Sequence, residues 1–321
     1  MAERRPRCRV AVIFNPVSAG ERAAERKREL VAALTAAGAD EVMVEETTED
    51  DPGRGATERA MAQGVDVVLV AGGDGTVMSC VSALAGSPTP LAVLPSGTGN
   101  LLATNLGLPG DLDEAAQVAL HGHRRRLDVG ALAGEGVDGD RFVVMSGMGF
   151  DAAMLRDADP AMKSRVGAFA YVLSGLRQIG RRPAEYRITL DGLPPFSRVG
   201  QGMLVGNLGR LQGGLDVLPG AQPDDGVLDV GVLQTRSLAG WLRLAGRVLF
   251  RRGRRGSSGP PLELFRARRV EVDCSRPQPI ERDGDPAPPR RHLTVEVVPS
   301  ALTVCVPEPA EHESHEKGVA S

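Results

Sequence analysis

Three short runs of the chain, Val10–Phe14, Val67–Ala71 and Leu91–Leu94, contain no polar residue at any position. Apolar runs of that length, bounded by Gly, Pro and Asn, read as strands buried on both faces. Each runs into a polar turn: Asn15-Pro16-Val17-Ser18-Ala19-Gly20, Gly72-Gly73-Asp74-Gly75-Thr76 and Pro95-Ser96-Gly97-Thr98-Gly99-Asn100. Between them, Glu21–Ala37 shows helical spacing through Leu30, Val31 and Leu34 and stops at Gly38. Val42-Met43-Val44 predicts a short strand and residues 47–53 a polar loop, while Ala56–Gln63 and Met78–Leu84 predict helices. Strand and helix therefore alternate over roughly the first 130 residues, the pattern of an open, mostly parallel α/β sheet. Such sheets bind ligands over the C-terminal ends of their strands.

After Arg124-Arg125-Arg126, which reads as a solvated surface run or as one facing phosphates, the character changes. Leu127–Ala133, Arg141–Met145, Tyr186–Leu190, Gly202–Val205, Val227–Leu233 and Val270–Asp273 are short β-type runs separated by Gly, Pro and Asp clusters. They predict a second, largely antiparallel β domain, interrupted by helices over Pro160–Ile179 and Leu238–Phe250. Pro286–Arg291 reads as a loop, and Leu293–Val298 and Leu302–Val306 as two closing strands. The division expected is an α/β domain over 1–126, a β domain over 127–292, closing strands over 293–307 and a disordered polar tail over 308–321.

Composition narrows the function. With 321 residues the chain can bury two cores, and a formal charge of −3 argues against nucleic acid as a partner. Cys8, Cys80, Cys274 and Cys305 are scattered without paired spacing, so neither disulfides nor a zinc site is expected, and the environment reads as reducing and cytoplasmic. No apolar run approaches the ~18 residues of a spanning helix. The five histidines show no ligand spacing.

The central turn carries the chemistry. Strand, glycine turn and helix aim backbone N–H groups at a phosphate, and glycine lets the phosphate approach without a Cβ in the way. Asp74 and Thr76 add a carboxylate and a hydroxyl. No Lys followed by Ser or Thr comes after, so this is not the Walker P-loop. Asp283, in Asp283-Gly284-Asp285, lies in what reads as a flexible turn where a carboxylate could take a proton from a substrate hydroxyl.

Taken together, Asn15-Pro16-x-Ser18, Gly72-Gly73-Asp74-Gly75-Thr76, Gly97-Thr98-Gly99-Asn100, Gly149-Phe150-Asp151-Ala152, Asp224-Asp225-Gly226-x-Leu228-Asp229 and Asp283-Gly284-Asp285 resemble the bacterial diacylglycerol kinase-like lipid kinases, relatives of sphingosine and ceramide kinases. Gly-Gly-Asp-Gly alone would also fit NAD kinases and 6-phosphofructokinases; the β-rich second half favours the lipid kinases. The resemblance implies a NAD kinase/diacylglycerol kinase-like α/β nucleotide-binding domain followed by a β-sandwich, with the active site between them. It implies ATP and Mg²⁺ as cofactors and phosphorylation of a lipid hydroxyl, diacylglycerol to phosphatidic acid leading, with sphingoid-base kinase, NAD kinase-like enzyme and non-catalytic binding protein as alternatives. By matching position the nucleotide would contact Asn15, Pro16, Ser18, Gly72, Gly73, Asp74, Gly75, Thr76, Val77, Met78 and Thr98. A loop threonine of the family corresponds to Thr48, or by a one-residue slip to Thr47. Asp283 matches the general base, and replacing it with Asn is expected to leave folding near normal. Asp285 stands where the family usually has Glu, one methylene longer, which puts its contact to nucleotide or metal in doubt. A structural metal is implied at Asp225 with the carbonyls of Gln222 and Val227.

One last pattern bears on substrate access. Arg243, Arg247, Arg251 and Arg254 recur beside an apolar face containing Trp241, Leu242, Leu244, Val248 and Phe250. The alternatives are a core helix with a solvated arginine face and a helix lying on an anionic membrane. The second would make the protein peripheral to the inner face of the membrane. The oligomeric state is left open, a homodimer included.

Overall fold

The computed structural model describes residues 7–134, 139–149, 183–211, 216–234 and 262–308. The predicted helices over 160–179 and 238–250, the arginine stripe, Phe150-Asp151-Ala152 and the tail from 309 lie outside the described residues.

The first part of the chain forms the expected parallel sheet. Strands β1 (Arg9–Phe14), β2 (Glu41–Glu46), β3 (Val67–Gly72) and β4 (Leu91–Pro95) lie in the order β4-β3-β1-β2, all parallel. β3 is buried at every position because helices cover both of its faces. Val67, Leu69 and Ala71 pack with Leu30, Ala33 and Leu34 of α2 (Ala23–Ala37) and with Ala115, Ala116 and Ala119 of α6 (Leu112–His121). Val68 and Val70 face Ala56 and Ala60 of α3 (Arg54–Ala62) and Val77, Cys80, Val81 and Leu84 of α4 (Asp74–Leu84). Period-two alternation along a strand thus sends successive side chains to two helical layers. Each buried Val or Leu contributes about 1.5–3 kcal/mol. α4 begins four residues before the apolar spacing predicts, at Asp74, because Asp74, Gly75 and Thr76 carry no apolar side chain to mark its start.

The second part is antiparallel and joined to the same sheet. Its strands are β5 (His123–Ala133), β6 (Arg141–Phe142), β7 (Met145–Met148), β8 (Ala184–Leu190), β9 (Phe196–Gly200), β10 (Gly202–Gly206), β11 (Leu228–Leu233), β12 (Leu262–Ala267), β13 (Arg269–Arg282) and β14 (Asp285–Val306). The order runs β12-β11-β10-β7-β13-β14, and β14 continues onto β4. Tyr186, Ile188, Val205, Val230, Val270, Val272 and Val295 are among the residues of its core.

Two expectations are corrected here. Residues 286–291 are strand, not loop, and the two predicted closing strands are one, β14. Asp283 and Gly284 have φ of 45° and 93°, and Arg282 pairs with Asp285, so Asp-Gly is a two-residue hairpin that carries the chain directly into β14 despite its prolines. β14 then bends at Ser300 (φ 51°), where its register against β5 shifts, and Val304 pairs in parallel with Leu91 of β4. The end of β14 therefore returns to the first sheet. β5 runs across residues 126 and 127, so the expected boundary falls inside a strand.

The arginine run is corrected in part, at Arg124 and Arg125, while Arg126 is exposed as expected. Arg124 Nη1 and Nη2 donate to the carbonyls of Val118, Ala119, Leu120 and Gly122 at the C-terminal end of α6, where a cation is favoured. Arg125 pairs with Asp224 at 2.8 Å. All four cysteines are free, as expected.

Candidate active site

Three turns meet at the C-terminal ends of β1, β3 and β4. Asn15 caps α1 (Pro16–Ala19), its Oδ1 accepting the N–H groups of Val17 and Ser18, while its Nδ2 donates to Thr76 Oγ1 at 2.9 Å. Asn15 N–H also bonds Ala71 O, and Ser96 N–H bonds Gly72 O. Asn100, with φ 47°, closes its own turn: Oδ1 accepts Gly97 N–H and Nδ2 donates to Gly97 O. Asp74 Oδ1 accepts the N–H of Leu101, the first residue of α5 (Leu101–Leu106), at 2.6 Å.

Not every residue of this region can serve a phosphate equally. Gly75 and Thr98 are exposed, Ser18, Gly73 and Met78 are half-buried, and Thr76 and Val77 are buried. Thr76 Oγ1 is engaged by Asn15, and Val77 N–H already bonds Gly73 O, so these two hold the turn rather than open onto it. Pro16 sits at the first position of α1, where its missing N–H costs nothing. Thr48 is exposed and accepts Asp51 N–H, whereas Thr47 is buried and its N–H bonds Phe14 O, one residue from Asn15.

The hairpin between β13 and β14 brings a second group of carboxyls. Asp283 is 6 % exposed and is gripped by three successive backbone N–H groups. Oδ1 accepts from Val144 (2.9 Å) and Met145 (2.8 Å), and Oδ2 from Val143 (2.8 Å). Asp283 N–H in turn bonds Met145 O. The predicted flexible turn is thus a rigid one. Burial pushes the Asp283 carboxyl up to about 7, against the three N–H donors that favour its charged form, and the charge of Asp74 adds to the rise. That coupling places the phosphate turn and the hairpin in one electrostatic field. Burial likewise raises Asp74, with exposed Asp285 contributing.

Sequence reasoning missed one member of this group. Glu281, two residues before Asp283 in β13, is fully buried; Oε2 accepts Gly284 N–H at 3.1 Å, and Oε1 has no hydrogen-bond partner. Burial raises its carboxyl to about 8, with Asp283 the next cause. Its neighbours Gln278, Arg282 and Asp283 are polar as well, so nothing local marks Glu281 as buried.

The expected structural metal does not fit the residues as they stand. Asp225 Oδ1 accepts Val227 N–H and Oδ2 is paired with Arg266, so a guanidinium already occupies the position of a counter-charge. Gln222 is exposed and Val227 half-buried.

Comparison with known proteins identifies the family and the fold. Residues 9–132 match the diacylglycerol kinase catalytic domain, and residues 143–306 match the YegS C-terminal NAD kinase beta sandwich-like domain. A Mycobacterium tuberculosis diacylglycerol kinase is 30 % identical over 306 residues, covering 93 % of this chain and 95 % of the relative. A Pseudomonas aeruginosa protein named "Probable lipid kinase YegS-like" is 34 % identical over 308 residues, covering 93 % and 94 %. A crystal structure of a diacylglycerol kinase from Bacillus anthracis str. Sterne shares the fold, with a TM-score of 0.72 at 22 % identity over 94 % of this chain and 98 % of that one. Yeast NADH kinase shares it more distantly, with a TM-score of 0.52 at 12 % identity over 95 % and 85 %. The chain belongs to the diacylglycerol kinase-like family of lipid kinases.

Proposed function

We propose that the protein transfers the γ-phosphate of ATP to a lipid hydroxyl, with diacylglycerol the leading acceptor and phosphatidic acid the product. The observation that carries this reading is Asp283, a buried carboxyl raised toward neutrality, held by three N–H groups and coupled to Asp74 of the phosphate turn.

A carboxylate has about four lone-pair sites, and the three N–H groups use two on Oδ1 and one on Oδ2. One site on Oδ2 remains for a substrate O–H. The hydroxyl proton passes to Asp283 Oδ2 as the alcohol oxygen bonds the γ-phosphorus and the bond to the β–γ bridging oxygen breaks, leaving ADP. A base near pH 7 suits such a transfer. The Gly72–Gly75 and Gly97–Asn100 turns cradle the phosphates, with Asn15 and Ser18 at their edge. Asp74 is a hard oxygen donor beside them, fitted to the hard cation that accompanies a nucleotide. When bound, Mg²⁺ neutralises charge across the β- and γ-phosphates.

No described helix is long and apolar enough to cross a membrane. The arginine stripe over 243–254 is the segment proposed to meet an anionic membrane. The test of the whole reading is label transfer from [γ-³²P]ATP into a mixed lipid extract, with NAD present as a competing acceptor. Label in phosphatidic acid supports the reading; label in NAD alone, or ATP untouched with every lipid, overturns it.

A further inference from the structure

Asn207, just after β10, is 1 % exposed and hydrogen-bonds the carbonyls of the 143–145 segment whose N–H groups hold Asp283. Its Nδ2 donates to two carbonyls, Asp128 O at 2.8 Å and Val143 O at 3.2 Å. Two facing carbonyls fix the amide with nitrogen toward them. The backbone N–H groups of Asn207 and Leu208 both donate to Val144 O. Residues 143–145 are thereby held from both sides. Their carbonyls are taken by Asn207, Leu208 and Asp283 N–H, and their three N–H groups converge on the Asp283 carboxylate.

The brace extends further. Asp128 is 1 % exposed, and its Oδ2 accepts Gly226 N–H at 2.7 Å while Oδ1 accepts Ser300 N–H at 2.8 Å. Asp128 N–H bonds Pro223 O. Asn207 therefore ties the strand pinned at the 223–226 loop and the β14 bend to the segment that grips Asp283. An isolated β-turn aspartate would need none of this.

We propose that Asn207 is a positioning residue for phosphoryl transfer: through Nδ2 it shapes the Val143–Met145 backbone whose N–H groups hold Asp283 as the base. The proposal rests on the reading of Asp283 given above. Without the amide, Val143 O loses its donor, the segment relaxes and the N–H groups draw away from the carboxylate. Fewer N–H bonds to a carboxylate disfavour its charged form. The other charged groups acting on Asp283 are Asp74 from α4 and, coupled to it from its own hairpin, Glu281; both are acidic, so neither replaces the lost N–H stabilisation. The sign follows: a rate that needs ionised Asp283 rises with pH, and its acid limb moves to higher pH when the grip loosens.

The experiment compares wild type with Asn207→Leu and Asn207→Ser. Two readouts are taken: the pH dependence of label transfer from ATP to dispersed diacylglycerol, and ¹³C titration of the Asp283 carboxyl, assigned with Asp283→Asn. Asn207→Leu is expected to move both upward by roughly one pH unit, so that rate falls about tenfold more at pH 6 than at pH 9. A merely structural defect would lower the rate equally at both pH values. Asn207→Ser keeps one donor and is expected to shift both in the same direction by less, which keeps the test valid if the leucine variant fails to fold. An unmoved carboxyl titration in a folded variant overturns the proposal. A carboxyl that moves while the acid limb stays put supports the positioning of Asp283 and removes its role as base.

Discussion

Gly97 and Gly73, in the turns after β4 and β3, face each other so closely that a Cβ on Gly97 would lie 2.7 Å from Gly73 Cα. The same Cβ would come 3.1 Å from Asn100 Oδ1. Two turns from separate strands thus meet backbone to backbone, which only glycine permits.

Gly97→Ala is therefore expected to force the turns apart, at about 1–3 kcal/mol of stability. ATP affinity, measured by calorimetry, should fall with it. Gly110→Ala, with open space around its Cβ and no positive φ, is the control and should melt like wild type. Equal melting and equal ATP affinity of the Gly97 variant would show that the contact is not needed.

Glu281 gives a pH prediction for stability. Its unfolded value lies near 4.5 and its folded value near 8, so the folded state holds the proton more tightly. Stability from this group is present below the unfolded value and is lost as pH rises through the folded one. Glu281→Gln cannot ionise. It should melt close to wild type near pH 5 and above it at pH 9, with the gap opening between those values. A gap independent of pH would mean that Glu281 does not titrate in that range.

The loop at Asp225 is held by an arginine where a cation was expected. Arg266→Gln should lower the melting temperature and make it respond to added Mg²⁺, while wild type should not respond. If wild type is stabilised by Mg²⁺ and Asp225→Ala abolishes the effect, the ion displaces Arg266 and the original expectation returns.

Much of this was legible in the chain. The parallel sheet followed from unbroken apolar runs, because burial on both faces leaves no polar position to misread. The three turns at the ends of β1, β3 and β4 followed from glycine and proline at strand ends. The hairpin at Asp283-Gly284 did not, although Asp-Gly between two strands is a strong signal, since Pro286, Pro288 and Pro289 argued for a loop. Strands β9 and β12 were missed as well. Asp128 and Asn207 had a readable mark, a polar residue inside an apolar run, which in a buried strand demands partners. Their partners come from residues up to 172 positions away, and no local pattern carries that.

Asp283 also corrects an expectation about its own replacement. An Asn side chain can accept at only one end, so its NH₂ would face at least one of the three N–H donors. Asp283→Asn should thus lose about 1–3 kcal/mol of stability rather than fold as wild type. Thermal melting at pH 8 reads this directly, and an unchanged midpoint would mean that the segment adjusts to the amide.

The most direct measurement is the turnover of Asp283→Asn for label transfer from ATP to diacylglycerol, at a temperature where the variant is folded and with ATP saturating. If Asp283 takes the proton, turnover falls by roughly two to four orders of magnitude, while ATP affinity stays within a few-fold of wild type. A variant that keeps more than about a third of the wild-type rate contradicts the role assigned to Asp283.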